Sequence, residues 1–154
     1  MHLTDLCHDL IEIPANAGTI SVTGLAVDST RVKAGDIFFA IAGTQYDGRD
    51  FIENAIEAGA VAVVTGSTRL AQSLITMTNC ANVPILQCGN PRYVMAKMAA
   101  RVWPSQPGMV AAVTGTNGKT STTEFLRQLW QRAPWQAVAV GTLGVTGTDM
   151  IKSD

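Results

Sequence analysis

A chain of 154 residues, 47% hydrophobic and 15% charged, has the balance of a folded globular protein and excludes an intrinsically disordered one. With 12 acidic and 11 basic residues the formal net charge is −1 and no basic stripe is visible, which argues against a nucleic-acid partner. No apolar run approaches the roughly 18 residues needed to span a bilayer, and residues 1–13 lack the layout of a secretory signal, so a soluble, cytoplasmic chain is expected.

Leu3, Leu6, Cys7, Leu10 and Ile11 recur at helical spacing, with Thr4 or Asp5 as a cap and Pro14 as the stop. Asp5, Asp9 and Glu12 give that helix a solvated face. Residues 20–27 read as a strand with an irregularity at Gly24, and Asp28-Ser29-Thr30 as a turn. Residues 37–41 form a short buried strand, followed by a polar loop from Gly43 to Gly48. Phe51, Ile52, Ala55, Ile56 and Ala58 have helical spacing, and Gly59 sits where a helix-ending glycine belongs. Strands over 60–64 and 83–86 flank a helix at 70–75, an α/β order. Gly89-Asn90-Pro91 is a turn that opens a helix with an inward face of Val94, Met95, Met98, Ala99 and Val102. Residues 104–108 are a connection. A strand at 109–113, a helix at 119–132 with Phe125, Leu126, Leu129 and Trp130 inward, and a strand at 137–140 follow. Residues 141–154 show no clear period. The best domain boundary falls near Gly89.

The three cysteines, Cys7, Cys80 and Cys88, fit no zinc spacing and read as free thiols. His2 and His8 read as surface histidines, and Trp103, Trp130 and Trp135 as packing residues. Glu124 reads as a favourable charge near a helix N-terminus.

The sharpest chemistry lies in the run from Met109 to Ser121, which reads as strand, glycine-rich turn, helix start. Gly115 and Gly118 allow positive φ and let backbone N–H groups approach an anion. The helix that follows offers unpaired N–H groups and the positive end of its dipole. Lys119 supplies a point charge for the β- and γ-phosphates of a nucleotide, and Thr120 a hydroxyl for the accompanying magnesium. The strict phosphate-loop pattern needs glycine where this chain has Val113, so the loop is a variant with Gly118-Lys119-Thr120 intact.

At Thr114-Gly115-Thr116-Asn117-Gly118-Lys119-Thr120 the chain resembles the Mur ligases, ATP-dependent amide-forming enzymes of peptidoglycan synthesis in the bacterial cell wall. Related folylpolyglutamate synthases carry the same loop. The first half separates the two. Val27-Asp28-Ser29, the run from Gly35 to Ala40, Gly43, Asp47-Gly48, Phe51, and then Ala55, Ala58-Gly59-Ala60 and Ala62-Val63-Val64 resemble the UDP-binding domain of the tripeptide- and pentapeptide-forming members. The Thr-Asn pair in the loop and Gly141-Thr142-Leu143-Gly144 favour the tripeptide-forming branch.

The resemblance implies an α/β fold: a small UDP-sugar-binding domain over 1–88, then the first part of a phosphate-loop, ATP-binding central domain over 89–154. It implies that Val27 and Ser29 contact the UDP-sugar, and that Thr44, Gln45 and Tyr46 lie in the loop that closes on the uridine nucleotide. Gly115, Thr116, Asn117, Gly118, Lys119, Thr120 and Ser121 would hold ATP, with Lys119 catalytic and Thr120 on Mg2+. The substrates would be UDP-N-acetylmuramoyl-L-alanyl-D-glutamate and a diamino acid, and the protein a monomer. One departure stands out: Thr30 occupies the place where the family usually has arginine, and Arg31 follows it. The other is length, because the family's magnesium-holding acidic and histidine residues, its modified lysine and its third domain have no counterpart here. A fragment without activity of its own is the expectation, with a UDP-sugar-binding module, an inactive remnant and a pentapeptide-forming ligase as alternatives.

Overall fold

The computed structural model describes residues 1–43, 46–66, 82–133 and 135–147, and the chain divides into two compact units, Met1–Gln106 and Pro107–Asp154. The helix expected over 70–75, Cys80, and the end of the tail over 148–154 lie outside the described residues.

The first unit is a parallel sheet covered on both faces. Its strands are β1 (Gly24–Ala26), β2 (Asp36–Ala40), β3 (Ala62–Thr65) and β4 (Ile85–Gln87), in the spatial order β1-β2-β3-β4. The register pairs Leu25 with Ile37, Phe38 with Val63, and Val64 with Leu86. A strand sends alternate side chains to opposite faces, so a run buried on both faces is continuously apolar. β2 meets that demand: Ile37 and Phe39 join one cluster, Phe38 and Ala40 the other. The first cluster takes in Leu3, Leu6 and Cys7 of α1 (Leu3–Cys7) and Val94 and Met98 of α3 (Pro91–Val102). The second takes in Ile52 and Ala55 of α2 (Ile52–Glu57), which Gly59 ends at φ 107°.

Several expectations differ from the structure; the first strand spans only Gly24–Ala26 of the expected 20–27. The first helix stops at Cys7 and does not run on toward Pro14, and Asp9 adopts φ 63°. Its N-cap is His2, whose backbone N–H donates to Asp5 Oδ2 at 3.3 Å, while Thr4 Oγ1 donates to the Gly18 carbonyl at 2.9 Å. The physical reason for the early stop is Arg101, from α3. Its Nη1 donates to the carbonyls of Leu6 and His8 at 2.7 Å each and of Asp5 at 3.3 Å, so acceptors at the helix end are satisfied without another turn. Arg101→Met keeps the stem and removes the donor. It should cost the unit about 1–3 kcal/mol, read as a lower urea midpoint at unchanged m-value; an unchanged midpoint would show that water replaces the clamp freely.

A further difference concerns the boundary. The turn at Gly89 was the sequence-based division, yet the units part between Gln106 and Pro107, within the proline-rich connection. The apolar stripe of α3 decides this. Val94 and Met98 are buried against the first sheet, so the helix after the turn completes the unit before it. Asn90 caps α3 by accepting from the Tyr93 N–H at 3.1 Å, with Pro91 in the first turn as expected.

The second unit consists of α4 (Lys119–Arg132) and an antiparallel hairpin of β5 (Val138–Gly141) and β6 (Gly144–Gly147). The hairpin's first strand answers the one expected over 137–140; the second, β6, lies in the tail, where the sequence shows no clear period. The run 109–113 was read as a strand but pairs with nothing among the described residues, and Met109 and Val110 are exposed. An extended apolar run becomes a strand only beside a partner, and among the described residues the pairing in this unit is that of β5 with β6. For the same reason the apolar face of α4 is only half used: Leu126 and Trp130 are half-buried, whereas Phe125 and Leu129, expected inward, are exposed. Trp135 packs edge-on against Trp130, with ring centroids 6.3 Å apart.

Candidate functional site

In the first unit, all strands being parallel, the segments that follow them emerge at one edge, the carboxyl edge where open α/β sheets collect ligand-binding loops. Val27 leaves β1 there and is exposed; Ser29 opens a short 3-10 turn, Ser29–Arg31. Asp28 builds that turn: its Oδ1 accepts from Thr30 Oγ1 at 2.7 Å and from the Thr30 N–H at 3.0 Å. The Thr30 hydroxyl and amide, with a smaller contribution from Arg31, hold the Asp28 carboxyl below its usual range. Thr30 therefore has a structural task where the resembling family carries arginine.

After β2 the chain closes a small loop. Ala42 bridges to Asp47, and the Gly43 N–H donates to the Tyr46 carbonyl at 3.0 Å. Tyr46 is 73% exposed at the loop tip, edge-on to Phe51 at 6.5 Å. Thr44 and Gln45 lie outside the described residues. Asp47 is paired with Arg49, whose Nε donates to both of its carboxylate oxygens at 2.8 Å; this pairing lowers the Asp47 carboxyl and raises the guanidinium. The sequence reading missed Arg92. From the first turn of α3 its Nη2 donates to the Ala42 carbonyl at 3.2 Å and so steadies the loop. A charged residue right after a helix-opening proline was the available signal. Val27, Ser29 and Tyr46 thus share one edge, since β1 and β2 are neighbours.

In the second unit the glycine-rich turn runs into α4. Gly118 caps the helix at φ 74°, and Gly115 sits at φ 148°. A Cβ on Gly118 would meet nothing within 4 Å, so the backbone angle and not crowding makes glycine the fitting residue. Residues 115–121 are all exposed. Lys119 folds back over the turn, its Nζ donating to the carbonyls of Gly115 at 2.6 Å and Thr116 at 3.3 Å. Its charge thus stands beside the free N–H groups of a 14-residue helix, the arrangement that suits a phosphate. Thr120 Oγ1 points at the hairpin and lies 3.2 Å from Thr142 Oγ1. Asn117 and Ser121 make no side-chain hydrogen bond among the described residues.

These groups line a groove of about 170 Å³ between α4 and the hairpin, with Lys119, Thr120, Glu124, Thr142 and Thr146 on its walls. Glu124 is more than a charge near the helix start. Arg127 Nε donates to its two oxygens at 2.9 and 3.0 Å, and Thr146 Oγ1 donates to Oε2 at 3.1 Å. Arg127 above all, then Thr146 and Gln128, bring the Glu124 carboxyl down to about 2. It therefore stays an anion, held by its own partners. Among the described residues no cluster of three or more His, Cys, Asp or Glu could hold a metal; the groove offers the hydroxyls of Thr120 and Thr142 and the Glu124 carboxylate, which Arg127 and Thr146 already engage. Magnesium takes hard oxygen donors and keeps several waters and phosphate oxygens, so a threonine hydroxyl of the phosphate loop fits as one of its ligands. Cys7 is buried, and burial pushes its thiol up to about 11, an inert state; Cys88 is raised in the same direction. No helix among the described residues is long and apolar enough to cross a membrane.

Comparison with known proteins agrees with this layout. The Mur ligase family catalytic domain matches residues 21–103, and the Mur ligase middle domain matches residues 113–153. The UDP-N-acetylmuramoyl-L-alanyl-D-glutamate–2,6-diaminopimelate ligase of Bradyrhizobium diazoefficiens is 41% identical over 145 residues, 94% of this chain and 28% of that protein. The ligase of the same name from Zymomonas mobilis is 46% identical over 124 residues, 80% of this chain and 24% of its own length. A solved structure of a ligase of that name superposes with a TM-score of 0.70 at 25% identity, covering 97% of this chain and 29% of its own. The MurF ligase of Thermotoga maritima in complex with ADP superposes with a TM-score of 0.52 at 28% identity, over 74% of this chain and 24% of its own. The chain thus spans about a quarter of the length of the curated relatives it matches. With an α/β sheet, a glycine-rich turn ahead of a helix, and family matches over both units, the chain belongs to the Mur ligase family.

Proposed function

We propose that this chain is the UDP-sugar- and nucleotide-binding part of an ATP-dependent ligase that adds a diamino acid to UDP-N-acetylmuramoyl-L-alanyl-D-glutamate. The observation that carries the reading is the turn Gly115–Ser121 on the N-terminus of α4, with Lys119 drawn over it. The relatives' names and the ADP-bound neighbour support it.

In the reaction, the D-glutamate carboxylate takes the γ-phosphoryl group of ATP, giving an acyl phosphate and ADP. The amine of the diamino acid attacks the acyl carbon, and phosphate leaves as the amide forms. The chain's own part is positioning and charge neutralisation. The amides of the turn and the start of α4 hold the phosphates, and Lys119 leaves the carbonyls of Gly115 and Thr116 to meet the β- and γ-phosphate oxygens. When bound, Mg2+ supplies further charge neutralisation, with Thr120 its hydroxyl partner in the loop. Val27, Ser29 and the loop carrying Thr44, Gln45 and Tyr46 take the UDP-sugar. Such chemistry belongs to the cytoplasm, to a monomer, and to peptidoglycan synthesis and hence cell shape and division.

Calorimetric titration of the chain with UDP-N-acetylmuramoyl-L-alanyl-D-glutamate, and separately with ADP plus Mg2+, tests this. Two independent one-to-one sites are expected. Absence of nucleotide binding would remove the ligase reading and leave a UDP-sugar-binding module.

A further inference from the structure

In the sequence, Gly141-Thr142-Leu143-Gly144 stands out only by its resemblance to one branch of the family. In the structure Thr142 is in the two-residue turn between β5 and β6, and its Oγ1 lies 3.2 Å from Thr120 Oγ1. Among the described residues neither hydroxyl makes another side-chain hydrogen bond. The neighbouring Thr123 behaves differently: its Oγ1 donates to the Lys119 carbonyl at 2.8 Å and so is used by the helix itself. The turn is held from two sides. The β5–β6 ladder closes it at Gly141 and Gly144, and one helical turn beyond Thr120 the Thr146 hydroxyl grips Glu124 at 3.1 Å. Thr142 is thereby kept over the start of α4, in the same groove as Lys119.

The separation has a chemical meaning. Two oxygens in adjacent positions of an octahedral magnesium ion, each at about 2.0–2.1 Å, lie about 2.9 Å apart. The hydroxyls at 3.2 Å need to move only a few tenths of an ångström to share one ion. Resting on the nucleotide-binding reading above, we propose that Thr142 is a second hydroxyl ligand of the nucleotide-bound magnesium ion, beside Thr120. Two neutral hydroxyls leave the remaining positions to water and to phosphate oxygens. Metal and nucleotide binding would then be coupled through the β5–β6 turn, which is already in place over the start of α4.

The test compares ADP affinity of the 154-residue chain with and without Mg2+, by calorimetry, for wild type, Thr142→Val, Thr142→Ala and Thr142→Ser. The wild-type chain should bind ADP more tightly with Mg2+. The valine and alanine variants should lose about tenfold or more of that affinity with Mg2+ and none without it, and serine should restore it. An undiminished gain from Mg2+ in both variants overturns the proposal and leaves the nucleotide site standing. An equal loss with and without Mg2+ also overturns it, because the hydroxyl pair would then be a clasp for the hairpin. A wild-type chain that binds no ADP in either condition takes the nucleotide-binding reading down, and this proposal with it.

Discussion

Replacing Lys119 with alanine should weaken ADP binding by roughly 30- to 150-fold while leaving the unfolding midpoint of the chain almost where it was. The magnitude is that of a lost charge-assisted contact, about 2–3 kcal/mol. The folded state has little to lose, because the ammonium is exposed and its partners are two carbonyls of the turn that water reaches as easily. A surface change of this kind moves stability by about 0.5 kcal/mol at most. In a ligase that carries this unit, the same substitution should lower kcat by about 10²- to 10³-fold, since the charge is needed most where the phosphoryl group is in transfer. Calorimetry with ADP and a urea curve on the same two proteins decide the matter. Equal affinity would mean that the lysine stays folded on its own loop, and the phosphate-site reading would have lost its main side chain.

The phosphate turn was legible in the sequence because its constraints are local. Positive φ asks for glycine at 115 and 118, and the helix that follows has its period from Lys119 onward, so the expected and observed spans of α4 coincide. The parallel sheet was legible for a related reason: Ile37–Ala40 and Ala62–Val64 are short, wholly apolar runs bounded by turns, and burial on both faces writes such a run directly. Asp28-Ser29-Thr30 was read as a turn, and the Asp28 carboxylate closes it.

What escaped was set by partners distant in sequence. Nothing near Leu10 says that the first helix ends at Cys7; Arg101, more than 90 residues away, does. The turn at Gly89 has every mark of a boundary, and only the packing of Val94 and Met98 against the first sheet shows that the unit continues through α3. The hairpin β5–β6 was hidden because three glycines, at 141, 144 and 147, dilute its alternation. Thr142 belongs to the Gly141–Gly144 run, but its relation to Thr120 exists only once the hairpin has folded against α4. The domain division at 106 moves one helix between the units without moving any predicted ligand contact, because Val27, Ser29 and the 43–48 loop belong to the first unit and residues 115–121 to the second under either division.

Phe39→Ala should be among the most damaging single truncations at the described residues, and Phe125→Ala among the mildest, although both residues read as inward-facing and apolar. Phe39 is fully buried in the middle of β2, in the cluster that joins α1, the sheet and α3. Removing its ring there costs the transfer of the side chain plus the cavity left behind, about 3–5 kcal/mol, a large part of the roughly 5–15 kcal/mol that holds a domain together. Phe125 is 65% exposed on α4, and its neighbour in the next turn, Leu129, is 62% exposed. They stand apart from the unit's apolar trough of about 780 Å³, where Met109, Val110, Leu126, Trp130 and Trp135 meet. Their truncation should change the stability of the chain by less than about 0.5 kcal/mol. Urea unfolding of the two alanine variants, followed by far-ultraviolet circular dichroism, separates these cases. A cost at Phe125 approaching that at Phe39 would mean that the outer face of α4 is covered in solution, and that the 109–113 run has found the strand partner it lacks among the described residues. The expected difference follows from burial alone: both phenylalanines read as core-facing, one in a wholly apolar strand and one on a helical period, and only the neighbours that the fold supplies make one of them part of a core.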